Sequence, residues 1–171
     1  QFLPRIPQRQ VYRHCRIEGD VDFIFGGAAA WFEDCDIVSI DGLRDHGDKK
    51  EPALGFCTAA STPEGQKFGY VFMKCRFQGE GVPDGAIYLG RPWREFAKTV
   101  LLHCELGAHI RPEGWHDWNK PYFPATGYYA EFASTGAGSQ GQRAAYVHQL
   151  TAEEAEKYTF ERFWGSISPE G

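Results

Sequence analysis

Two short stretches carry residue types suited to chemistry. They are Gly19-Asp20-Val21-Asp22-Phe23-Ile24-Phe25-Gly26 and Tyr88-Leu89-Gly90-Arg91-Pro92-Trp93. In the first, Val21, Phe23 and Phe25 alternate with Asp22 and Ile24, so on a strand Asp22 faces opposite to Phe23. With Phe23 directed inward, Asp22 projects outward as an accessible carboxylate. In the second, Pro92 restricts Arg91 to an extended conformation, which projects a guanidinium beside an indole. A guanidinium holds a carboxylate well through its planar fork of donors, and Trp93 offers a flat apolar platform for a sugar ring. Residue by residue, other readings stand beside an aspartate nucleophile. Asp20 and Asp22, at i and i+2, share a strand face about 6.5–7 Å apart, within the spacing of the paired carboxylates of a glycosidase. That reading, like a polysaccharide lyase, leaves Arg91 unexplained. Trp93, Trp115 and Trp118 would also serve a saccharide-binding protein without turnover. His103, Cys104 and His109 are metal-type residues, but positions 103 and 104 on a strand face opposite ways, against the convergence that zinc ligation requires.

The elements that must position these residues are marked by cysteines. Four segments align on Cys15, Cys35, Cys75 and Cys104: VYRHCRI, WFEDCDI, VFMKCRF and VLLHCEL. Each has apolar residues upstream, a polar or charged residue directly before Cys, a charged residue after it, then an apolar one. The separations are 20, 40 and 29 residues (15 to 35, 35 to 75, 75 to 104). A unit near 20 residues made of strands predicts an all-β solenoid, a parallel β-helix, in which each rung buries its face against its neighbours. Cysteine is small and usually buried, so stacked copies form an interior ladder of thiols. The fifth cysteine, Cys57, stands outside this alignment, and no CxxC spacing appears. The charged, glycine- and proline-bearing segments Asp41–Pro52 and Gln78–Gly85 read as excursions from the coil. Ser134–Gln142 reads as a flexible loop. Thr151-Ala-Glu-Glu154 is a capping-box pattern followed by Ala155, Tyr158 and Phe163 at helical spacing. It predicts one short C-terminal helix over about 151–163, covering a sheet or the open end of the coil.

The bulk properties narrow the function. At 171 residues, 42% hydrophobic and 15% aromatic, the chain has the apolar content for one domain with a real core. A net charge of −5 argues against nucleic acid and anionic membranes as partners. No apolar run approaches the roughly 20 residues of a membrane span. The chain begins at Gln1, its single methionine is Met73, and no signal peptide is present.

DFIFG at 22–26 and LGRPW at 89–93, in that order, resemble the two signature motifs of the pectin methylesterases. GFCTAAST at 55–62 is similar to the family's strand between them. Gly114-Trp115-His-Asp-Trp118 resembles its Gly-Trp-x-x-aromatic segment, and Tyr128–Phe132, the glycine-rich loop and Arg143 its closing stretch. The resemblance spans nearly the whole chain and implies a right-handed parallel β-helix of bacterial type acting on methyl-esterified pectin. By it, Asp22 is the nucleophile that attacks the ester carbonyl of galacturonate, releases methanol and leaves an acyl-enzyme for water to open. Arg91 orients Asp22 and favours its charged form, and Phe25, Trp93 and Trp118 line the sugar site. No metal or organic cofactor is implied. The partner is pectin, the protein is a monomer and its location is extracellular.

The same resemblance implies further parts. A second aspartate in a QDTL-type motif supplies general acid and base, and glutamines stabilise the oxyanion. In the family both lie upstream of DFIFG, and no QDTL occurs in this sequence. The expectation is therefore an N-terminally incomplete domain over 1–171, nearly inactive alone. Geometry adds a condition. Asp22 and Arg91 are 69 residues apart (91 minus 22). At about 20 residues per rung that is three rungs, roughly 14 Å, too far for an arginine to reach. Contact requires the excursions to absorb sequence so that one or two rungs separate the pair.

Overall fold

The computed structural model describes residues 8–41, 55–123 and 125–165. Its strands wind as successive rungs. The first is β1 (Arg9–Arg13), β2 (Arg16–Gly19) and β3 (Val21–Gly26), and the second β4 (Ala29–Glu33), β5 (Asp36–Ile40) and β6 (Gly55–Ala60). The third is β7 (Tyr70–Met73), β8 (Arg76–Glu80) and β9 (Ile87–Pro92). The fourth has β10 (Lys98–Leu102) and β11 (Glu105–Leu106), with single bridges from Ile110 to Ile87 and from Trp115 to Gly90 completing it. The fifth begins with β12 (Tyr128–Phe132), beside which β13 (Val147–Gln149) lies. Every pairing is parallel, giving three sheets ordered β1-β4-β7-β10-β12-β13, β2-β5-β8-β11 and β3-β6-β9. This is a right-handed parallel β-helix.

The cysteine repeat has a backbone cause. His14, Asp34, Lys74 and His103, each directly before its cysteine, have φ of 54, 50, 54 and 54°. One left-handed residue turns the chain sharply from the first sheet to the second, and the next side chain then points inward. The position before cysteine is polar because it stands outside the corner. Cys35, Cys75 and Cys104 are fully buried, and each thiol donates to a carbonyl of the rung before: Tyr12 (3.5 Å), Phe32 (3.5 Å) and Phe72 (3.4 Å). All five cysteines are free thiols. Burial pushes the Cys35 thiol up to about 11 and that of Cys57 to about 12, which keeps them protonated. The column continues one rung further without cysteine: Ala133 has φ 53° and Ser134 takes the thiol's place, as the Thr135 N–H donating to Cys104 O shows.

Inside the coil Tyr12, Phe32 and Phe72 are in register, with ring centroids 4.9 and 4.4 Å apart and planes within 9°. Leu101 follows, and in the fifth rung the same position is Glu131. On the outer face of the first sheet Trp31, Val71, Val100 and Ala130 form a second apolar cluster. The C-terminal segment covers this face, not the open end of the coil. It is two helices instead of one, α1 (Ala152–Ala155) and α2 (Phe160–Gly165). Thr151 and Glu154 form the capping box of α1. A second cap interrupts the helix: Thr159 Oγ1 accepts from Arg162 N at 3.2 Å and restarts it, turning Phe160 and Phe163 onto Trp31.

Two loop expectations change. Gln78–Glu80 belongs to β8, and the excursion is confined to the turn that follows. Ser134–Gln142 is a packed loop with a 3-10 turn at Ala137–Ser139, and Gly138 is buried so closely that a Cβ there would strike Gly107 O. Of the Asp41–Pro52 excursion, only Asp41 lies within the described residues.

Candidate active site

Asp22 and Arg91 meet across the third sheet. β3 and β9 lie on either side of β6, so the two residues are two rungs apart, within the condition set by their sequence separation. Arg91 reaches back over β6 and holds the carboxylate with both arms: Nε donates to Oδ1 at 2.9 Å and Nη2 to Oδ2 at 2.6 Å. The pair is sheltered but open to solvent on one side, with side chains 18% and 24% exposed.

Strand alternation alone does not place Asp22. Val21 pairs with Phe56 and Ile24 with Thr58, so β3 carries one extra residue there. Asp22 has φ 51° at this bulge. Bulges re-aim side chains, and here the regular alternation is lost. Ile24, expected outside, is buried in the core, Phe23 packs against it, and Phe25 is 64% exposed. Asp20 Oδ1 accepts from the Val21 N–H at 2.8 Å, while both Asp22 oxygens face Arg91.

The guanidinium lies between two aromatic faces, 3.9 Å from the Phe56 ring centroid and 3.8 Å from that of Trp118. Phe56 stacks on Tyr88 of the next rung at 5.2 Å, so β6 and β9 supply the floor and Trp118 the lid. Gly90 lets β9 approach β6, because a Cβ there would strike the Thr58 hydroxyl. Beside the ion pair, Phe25 and Trp93 form an exposed shelf with centroids 5.6 Å apart. The Trp93 and Arg94 N–H groups both donate to Ala60 O, at 3.0 and 3.3 Å. The five residues singled out by sequence therefore come together as an ion pair with its lid (Asp22, Arg91, Trp118) and an adjoining platform (Phe25, Trp93).

Phe56, His116 and Lys120 were not singled out. His116 Nδ1 accepts from the Trp118 N–H at 2.9 Å, and Lys120 Nζ donates to the Pro92 and Trp93 carbonyls. Phe56 sits in the GFCTAAST stretch, and its outward direction follows from its pairing with Val21 and Tyr88. Nothing in sequence spacing marks Lys120. Trp115, by contrast, is buried, stacked on Tyr129 at 4.3 Å and bonded through Nε1 to Glu131. Glu131 in turn pairs with Arg143 at 2.7 Å, so the closing stretch braces the rung that carries Trp118. Cys104 points into the coil and His103 lies outside it against Phe132. No group of three metal-type side chains converges among the described residues.

The sequence profile described as Pectinesterase matches residues 3–166. Among curated proteins, the chain is 36% identical over 170 residues to a probable pectinesterase/pectinesterase inhibitor 64 of Arabidopsis thaliana. It is 35% identical over 164 residues to pectinesterase/pectinesterase inhibitor U1 of Solanum lycopersicum. Each match takes in 91% of this chain and 27% of the relative, so the chain spans about a quarter of the length of these proteins. Among solved structures, it resembles pectin methylesterase from carrot with a TM-score of 0.79 at 31% identity, covering 97% of this chain and 53% of that one. It resembles the enzyme from Yersinia enterocolitica at 0.75 and 27%, covering 92% and 53%. These sequence relatives are plant proteins and the structures include bacterial ones, so they show the family and do not single out a bacterial type.

Proposed function

The chain belongs to the pectinesterase family, and from that premise we propose that Asp22 is the nucleophile of an aspartyl esterase acting on methyl-esterified galacturonate in pectin. The observation that carries this is the two-armed Arg91–Asp22 contact beside the Phe25–Trp93 shelf. An ionised carboxylate held by a planar fork keeps one lone pair of each oxygen directed away from the arginine. With a galacturonate ring on the shelf, a carboxylate oxygen adds to the ester carbonyl. The tetrahedral intermediate collapses, the C–OCH3 bond breaks and methoxide leaves as methanol, taking a proton from a general acid. Water, losing its proton to the same group as base, then opens the mixed anhydride and restores Asp22.

Arg91 is bound to Asp22 and too strongly basic to serve as that acid. The family resemblance assigns the role to the aspartate of a QDTL-type motif and oxyanion stabilisation to glutamines, both upstream of the nucleophile motif. We accordingly read residues 1–171 as part of one β-helical esterase domain. The protein works as a monomer and outside the cell, where pectin is found. Two of the three exposed large apolar side chains among the described residues, Phe25 and Trp93, form the shelf, which favours sugar contact over a second copy of the chain.

The test is methanol release from highly methylated pectin by the intact protein. Asp22→Asn is expected to lower the rate by about 10³-fold or more, since it removes the nucleophile, while pectin binding persists. Binding without methanol from either form would instead identify a pectin-binding β-helix. Reducing ends from polygalacturonate would identify a glycosidase or lyase.

A further inference from the structure

The ion pair is flanked by two chain segments that carry indoles, Trp93 exposed and Trp118 half-buried. Trp93 follows β9, and Trp118 lies on the turn beyond Trp115. The first segment is tied to β6 through Ala60 O. The second is tied to β9 only as far as His116, whose N–H donates to Gly90 O at 3.0 Å. Beyond it the backbone leaves the coil. Trp118 and Asn119 both take left-handed conformations, φ 55 and 51°. The turn closes on itself through Asn119 N to Asp117 Oδ1 (2.8 Å) and Lys120 N to Asp117 O (3.2 Å). Such a turn presents Trp118 but does not by itself fix where Trp118 stands relative to Trp93.

Arg91 lies against the Trp118 ring, and among the described residues one side chain bonds the turn to the backbone of the Trp93 segment. Lys120 Nζ donates to Pro92 O and to Trp93 O, each at 2.6 Å, and lies 4.7 Å from the Trp118 ring centroid. We propose that Lys120 is a positioning residue that clamps the Trp118 turn to the backbone of Trp93, so that the two indoles form one sugar-binding surface of fixed width. This rests on the esterase reading of the Asp22 site.

The arrangement is not that of an ordinary solvated lysine. Partial burial, with Arg94 and Arg91 nearby, lowers the Lys120 pKa, so holding the ammonium there works against both hydration and like charge. Two carbonyls and an indole face offset that cost. Without the ammonium, Pro92 O and Trp93 O lose their shared donor. The Trp93 peptide is then free to rotate about its remaining anchor at Ala60 O. The two-armed Asp22–Arg91 contact and the Phe56 face beneath it are held by β3, β6 and β9 and stay in place without Lys120, and only the Trp118 face over the guanidinium shifts with the turn. The clamp therefore governs sugar binding more than the chemical step.

The experiment compares the intact protein with Lys120→Met, Lys120→Arg and, as a surface control, Lys157→Met. Lys120→Met is expected to raise KM for methylated pectin by about 5- to 20-fold with kcat within about threefold, the signature of lost uniform binding. Lys120→Arg, which can still donate to both carbonyls, restores KM to within about threefold of wild type. Indole N–H signals, assigned with Trp93→Phe and Trp118→Phe, shift for both residues in Lys120→Met and stay in place in Lys157→Met. Unchanged KM and unchanged indole signals in Lys120→Met overturn the proposal. So does a fall in kcat at constant KM, which would place Lys120 in the chemistry. If the wild type releases no methanol, the esterase reading fails. The clamp is then read from the indole signals and from the affinity for a methylated hexagalacturonate, which Lys120→Met is still expected to weaken.

Discussion

Asp22 combines a left-handed backbone, φ 51°, with a carboxylate held by both arms of Arg91. An L-residue pays about 1–2 kcal/mol for that conformation, and a regular strand would not need it. What the bulge provides is direction: it turns the carboxylate toward β9 two rungs away. Two aromatic faces confine the guanidinium, so its plane is fixed before substrate arrives. Arg91→Lys tests the value of that plane. The lysine keeps the charge but has a single point donor and loses the flat contact with Phe56 and Trp118. Methanol release is expected to fall by about 10²-fold, the typical result of misplacing a reacting group by about 1 Å. A loss under threefold would mean that charge alone suffices and that the fork geometry is incidental.

At the scale of the rung, the left-handed corner residue organises the fold, and it is the part most legible in the sequence. The column VYRHC, WFEDC, VFMKC and VLLHC could be aligned because every rung repeats one corner, one buried small side chain and one register. The ion pair was legible as well, through the two motifs that carry it. What escaped was whatever breaks the repeat. The extra residue in β3 has no mark in a pattern that alternates perfectly on paper. The split of the C-terminal helix turns on Thr159, an ordinary helix residue until its hydroxyl caps Arg162. Lys120 acts through two backbone carbonyls nearly 30 residues away, and such contacts carry no residue-type signature. The corner itself yields a prediction. Ala133 is exposed, has φ 53° and no side-chain function to lose. Ala133→Gly relieves the left-handed strain against a smaller entropy cost and is expected to stabilise by about 0.5–1 kcal/mol. A urea midpoint that falls would show that the corner tolerates Ala without strain.

Across the whole molecule, the weak point on the acid side lies between the third and fourth rungs, far in character from the ion pair. His109 is 4% exposed, is packed against Gly79 and Gly107, and its Nε2 has no partner among the described residues. Burial pushes its pKa down from 6.5 to about 4, against a smaller upward pull from Asp84. A depressed histidine pKa means that the unfolded chain takes up the proton first. The stability this neutral imidazole permits is therefore complete above about pH 6.5 and declines as pH falls from there to about 4, by up to about 3 kcal/mol. Asp34 acts lower. The Arg76 guanidinium, with His14, holds the Asp34 carboxyl below its usual 3.8, so its contribution persists through this window and is lost only below it. The decline between 6.5 and 4 can thus be assigned. His109→Gln, which has no proton to gain, is expected to flatten the urea midpoint across that range relative to wild type, even if its midpoint at pH 7.5 is lower. Parallel pH profiles for the two proteins would show that His109 is solvated in the native state and that acid lability arises elsewhere. A flattened profile would mean that pH acts on this β-helix through a rung junction before it reaches Asp34.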